Sequence, residues 1–145
     1  MSNQLYNTRI LRLAAGIPHQ QRLDDPHGTS ERRSPVCGSR VTVDVALDAD
    51  GRIAALGQEV RACALGQASA SLMGAHAIGR TLAELEEARD ALAAFLAGTR
   101  DGPGEWPGLE LFDPARPHAA RHASIRLAFE AVAEAAARAR TRTVA

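Results

Sequence analysis

The stretch RVTVDVALDADGRIAALGQEVRAC, residues 40–63, decides the fold. Val41, Val43, Val45 and Leu47 alternate with Arg40, Thr42 and Asp44, the period of a strand with one buried face. DADG, at 48–51, is a hairpin turn in which Gly51 can take a positive φ. The segment 52–62 then returns as one or two strands, with a bend expected at Gly57.

Helical patterns flank this hairpin. Leu5, Ile10, Leu11 and Leu13 make residues 4–15 a short amphipathic helix closed by Gly16 and Pro18. His19 to Pro35 is polar and rich in turn residues, which predicts an irregular loop. After Cys63 comes GQASASLMGAHAIG, a helix of small residues ended by Gly79, whose surface admits a neighbouring backbone. Thr81 and Glu84 form a capping box for a helix over 82–97, with Leu82, Leu85, Ala88, Leu92, Phe95 and Leu96 along its apolar stripe. GTRDGPGEWPG reads as a loop, and Pro114 and Pro117 lead into an Ala-rich helix over 118–140 with Ile125, Phe129 and Val132 in the core. The order helix, strands, helices predicts one α+β domain, residues 1–140, with a small antiparallel sheet of about three strands packed against helices. A frayed tail over 141–145 follows it.

Composition removes several function classes. The chain has 145 residues and formal net charge +0, so it lacks the electrostatic footprint of a nucleic-acid or anionic-membrane partner. Aromatic residues make up 3 %, too few for base-stacking platforms. All 17 basic residues are Arg, which excludes Schiff-base lysine chemistry. No run is long and apolar enough for a signal peptide or a bilayer span, so a cytoplasmic protein is expected. Nucleophile elbow, Walker loop and paired catalytic carboxylates are all missing, and a non-enzymatic role is expected.

The chemistry rests on two cysteines and two histidines. Cys37 stands in the turn before the first predicted strand, and Cys63 where the returning strand hands over to a helix. Hairpin pairing can bring these junctions together. A thiol just before a helix meets free N–H groups and the positive end of the dipole, a setting that suits the thiolate form that binds soft metals. Two small core residues are the alternative reading, and a disulfide or sulfur-carrier pair a third, without a CxxC to support it. His118 and His122 are four apart and would share a face of the last helix, as paired metal ligands can; a solvated face is the plainer reading.

Taken in order, the features PVCGS, the D.DG turn, VRACALGQASASLM, TLAEL and HASIRLAFEAV resemble the U-type iron–sulfur cluster scaffolds, the IscU, SufU and NifU N-terminal family. The resemblance covers roughly residues 5–136, and C-x-x-G-x-A-S-A-S from Cys63 is its most specific part. It implies a site for a transient iron–sulfur cluster (2Fe-2S) or a zinc ion, sulfur supplied by a cysteine desulfurase, and apo iron–sulfur proteins as clients. Cys37 and Cys63 match the family's first two cysteines. Ser39 stands where the family has its aspartate and Ser124 where it has its third cysteine; His122 is one position further back than the histidine of some members. The resemblance thus leaves two outcomes: a variant scaffold in which Cys37 and Cys63 are joined by His122 or His118, or a degenerate scaffold fold serving as a desulfurase-binding or regulatory module without a cluster.

Overall fold

The hairpin forms and becomes two-thirds of the only sheet among the described residues. The computed structural model describes residues 5–35 and 38–144. Along the chain come helix α1 (Thr8–Ala15), strands β1 (Gly28–Arg33), β2 (Arg40–Leu47) and β3 (Ile53–Arg61), helices α2 (Ala64–His76) and α3 (Leu82–Ala97), a 3₁₀ helix (Leu109–Ala115) and helix α4 (Ala119–Val144). The sheet is antiparallel throughout, in the order β1-β2-β3. The α+β class and the three strands are as the sequence predicts. Gly51 takes φ +80° in the hairpin turn, and Thr81 and Glu84 cap α3 reciprocally.

Three expectations need correction. The polar segment 19–35 is not wholly irregular, because it contains β1, GTSERR. No apolar alternation announces this strand; its inward positions are Gly28 and Ser30, which lie directly on α4. A Cβ at Gly28 would stand 2.1 Å from the Ala135 carbonyl oxygen and 2.6 Å from the Ala139 nitrogen, so only glycine permits this approach. The Ser30 hydroxyl adds a short hydrogen bond to Glu134.

The second correction concerns β2, which is buried on both faces rather than one. Val41, Val43 and Val45 face the core, while Asp44 is 0 % exposed on the opposite side. There the segment after Pro18 crosses the sheet. Arg22 donates to the Asp44 carboxylate at 2.6 and 3.1 Å, the Leu23 N–H at 3.0 Å and the Thr29 hydroxyl at 2.6 Å. Burial alone would push this carboxyl's pKa up, but the hydrogen bonds from Arg22, Thr29 and Leu23 together hold it below its ordinary value. Gly57 does not bend β3, which runs unbroken; its missing side chain makes room for the crossing segment, since a Cβ would stand 2.3 Å from the Gln21 carbonyl oxygen.

The third concerns the last helix, which continues to Val144, past the expected end at 140. This helix is the hub of the fold, packing on β1, β2, α2 and α3. Ile125, Phe129 and Val132 are each 0 % exposed, as expected of core contacts. Alanines supply much of the rest of its buried surface, which lets sheet and helices close on it from several sides.

Candidate functional site

The motif that follows β3 explains itself at the crossing of α2 and α4. Cys63 is the N-cap of α2, with extended φ and ψ of −65° and 170°. Cys63, Gly66 and Ser69 fall three apart, on one stripe of the helix that faces the first turns of α4. The Cys63 thiol donates to the Ser124 hydroxyl at 3.5 Å. Gly66 lets α4 in, because a Cβ there would stand 3.2 Å from the Ser124 carbonyl oxygen and 2.8 Å from the Ala62 Cβ. The Ser69 hydroxyl donates to the Ile125 carbonyl at 2.5 Å and fixes the depth of the seam.

A third segment completes the cluster. Ser39, immediately before β2, places its hydroxyl 2.8 Å from that of Ser124. Both serines are buried, whereas Cys63 is half-exposed. The Ser34 N–H donates to the Ser39 carbonyl at 2.8 Å, which ties the residue after β1 to the one before β2. Chain positions 39, 63 and 124 therefore meet at one point, at the end of the sheet and the N-terminus of α2. Cys37 lies outside the described residues.

The histidines go elsewhere. Helix α4 starts at Ala119, so His118 stands immediately before it and is exposed. His122 turns toward the end of the 3₁₀ helix, its Nε2 3.0 Å from the carbonyl oxygens of both Ala115 and Arg116. Carbonyls only accept, so this nitrogen carries a proton and staples α4 to the preceding segment. His27, just before β1, accepts the Leu47 N–H at Nδ1, 3.0 Å away.

Cys63 is the soft donor at this point; the two hydroxyls are poor ligands for soft metals. Among the described residues no group of three or more His, Cys, Asp or Glu is placed to hold a metal ion. In the sequence, Ser39 and Ser124 stand out through the family resemblance alone. Their mutual hydrogen bond carries no local signal, whereas the C-x-x-G-x-x-S spacing does mark the stripe of Cys63, Gly66 and Ser69.

A three-stranded antiparallel sheet held on a long alanine-rich helix, with a half-exposed thiol at a helix start, defines a small domain that presents a sulfur donor, Cys63, at one end. The chain matches the NifU-like N-terminal domain over residues 5–144, and it belongs to that family. It is similar to the N-terminal part of a nitrogen-fixing NifU-like protein from Brucella abortus, with 37 % identity, a TM-score of 0.88 and 97 % of each chain covered. A protein from Fervidobacterium islandicum AW-1, provisionally assigned as an iron–sulfur cluster assembly scaffold of the SUF system, has the same fold, with a TM-score of 0.85 at 20 % identity over 94 % of this chain and 99 % of that one. No curated protein matches the sequence.

Proposed function

We propose that this chain is a non-enzymatic, cytoplasmic scaffold of iron–sulfur cluster assembly that carries a transient 2Fe-2S cluster as cargo between a cysteine desulfurase and apo iron–sulfur clients. Cys63 and Cys37 are its thiolate ligands. The observation that carries this reading is the meeting of Ser39, Cys63 and Ser124, three positions distant in sequence that correspond to the family's ligand positions. With hydroxyls at two of these positions, two thiolates hold the cargo and the remaining coordination stays weak, which favours release over storage. His122 is not counted among the ligands, since its Nε2 is engaged by Ala115 and Arg116. Zinc, which accepts the same thiolates, occupies the site when iron and sulfide are absent.

The test is iron and acid-labile sulfide content after anaerobic reconstitution of the full chain. Equimolar iron and sulfide, lost in both Cys37→Ser and Cys63→Ser, is the expected result. A folded protein that takes up neither iron nor zinc overturns the reading.

The Ser39–Ser124 hydrogen bond favours one second reading, in which the ligand site has closed and the fold persists as a desulfurase-binding or regulatory module. That reading expects the Cys37→Ser/Cys63→Ser double variant, free of metal, to bind the desulfurase as tightly as the parent.

A further inference from the structure

On the flank of α1, away from Cys63, lies a cavity of about 340 Å³ between α1, α2 and the start of the 3₁₀ helix. Its volume lies within the range of small-molecule sites and equals roughly ten water-sized groups. The apolar surface comes from Leu13, Leu72 and Leu111, one from each of the three elements. Gly108 keeps the wall thin at φ +89°, where a Cβ would collide with Leu72 Cδ2 at 2.5 Å.

Two polar features converge on this apolar surface. Arg9 and Arg12 stand three apart on α1, on the same stripe as Leu13, and both line the cavity. Neither makes an ion pair or a side-chain hydrogen bond among the described residues. No Asp or Glu lines the cavity, and none occurs in α1, so in a chain of zero net charge this is a local concentration of uncompensated positive charge. Opposite them, Ser71 of α2 is only 4 % exposed, yet it lines the cavity and its hydroxyl has no partner among the described residues. Gln58 Oε1, not the Ser71 hydroxyl, is the side-chain oxygen sealed away without a partner among the described residues, so the hydroxyl opens to the cavity and is available to a bound polar atom.

We propose that this cavity binds a small amphipathic carboxylate, with its anionic head between Arg9 and Arg12, a head-group oxygen within reach of the Ser71 hydroxyl, and a short hydrocarbon body against Leu13, Leu72 and Leu111. Guanidinium groups select carboxylate over a neutral head, and the apolar surface selects a hydrocarbon tail over acetate. The volume sets the size, about ten non-hydrogen atoms. This site is separate from the cysteine cluster, and the proposal holds whichever reading of that cluster is correct.

The test is titration of the full chain with octanoate, followed by calorimetry and amide chemical shifts, with octanol and acetate as matched controls. Octanoate is expected to bind saturably and to shift amides of α1, of α2 near Ser71 and of residues 108–111, with octanol and acetate each much weaker. The Arg9→Gln/Arg12→Gln variant changes only exposed side chains and keeps its Tm; it should weaken octanoate about tenfold or more, the scale of losing charge-assisted hydrogen bonds. Ser71→Ala should weaken it a few-fold. Three results overturn the proposal: no saturable binding at millimolar octanoate, octanol binding as tightly as octanoate, or an affinity unchanged in Arg9→Gln/Arg12→Gln.

Discussion

Replacing Gly66 by alanine tests whether the seam between α2 and α4 sets the geometry of the cysteine cluster. On helix propensity alone the change should stabilise the protein, because alanine is better than glycine inside a helix by about 1 kcal/mol. Packing opposes this. The new methyl would lie 2.8 Å from the Ala62 Cβ and 3.2 Å from the Ser124 carbonyl oxygen. Neither atom can swing aside, since one is a Cβ fixed to its backbone and the other is backbone itself: the backbone at Ala62 must shift to relieve the first contact, and α2 and α4 must part to relieve the second. Overpacking of this kind costs about 1–3 kcal/mol. The upper part of that range applies here, and the net loss is about 1–2 kcal/mol. For a chain of this size that lowers Tm by roughly 3–7 °C. Gly102 is the control, since nothing lies within 4 Å of its Cβ position; Gly102→Ala should leave Tm unchanged or slightly higher. Parting of the helices also lengthens the 3.5 Å contact from Cys63 to Ser124, so in a Cys37→Ser background Cys63 should react faster with iodoacetamide. If Gly66→Ala melts at or above the parent temperature and Cys63 reacts at the parent rate, the seam is not limited by contact at Gly66 and the reasoning fails.

Other outcomes follow from the same contacts. Asp44→Ala should cost about 2–4 kcal/mol in urea unfolding, because it strands the Thr29 hydroxyl and the Leu23 N–H; Arg22, 48 % exposed, returns to water at little cost. The Asp44 pKa is lowered in the folded state, so the unfolded chain binds the proton more readily. Its contribution to stability is thus fully present above the ordinary value of 3.8 and is lost as pH falls through that value toward the lower folded one, a slope that Asp44→Asn should flatten. His122→Ala should lower stability by about 1 kcal/mol through loss of the staple to Ala115 and Arg116, and leave the metal content of the reconstituted protein unchanged. Ser124→Cys adds a thiol beside Cys63 and should slow loss of iron and sulfide to a chelator; a loss rate equal to the parent's would count against a ligand position there.

What the sequence made legible depended on whether a single element carried its own signal. The β2–β3 hairpin, the Thr81–Glu84 capping box and the stripe of α3 each declare themselves within a dozen residues. Strand β1 does not, because what holds it is the partner: Gly28 and Ser30 are small so that Ala135 and Ala139, more than a hundred positions away, can approach. Asp44 looked like the solvent side of an alternating strand for the same reason, since its cover arrives from residues 22–29. At the candidate site, periodicity marked Cys63 as a helix start, while Ser39 and Ser124 were visible only through the family resemblance. The pairing of His118 with His122 rests on spacing alone, and spacing does not carry the carbonyls of Ala115 and Arg116, toward which His122 turns.

The two margins of the sheet show how this domain limits its own company. On one margin β1 ends in Glu31, Arg32 and Arg33, and arginines of α4 already occupy backbone carbonyls there: Arg138 that of Thr29 and Arg142 that of Pro26, each at 2.7 Å. On the other, β3 gives the N–H of Gln58 to the His19 carbonyl at 2.8 Å, so an internal segment lies where a stranger's strand would add. Charged or covered edges discourage pairing between molecules. With both margins engaged within the domain, lasting β-sheet association between molecules is disfavoured, and the helices and loops are the surfaces left for contact.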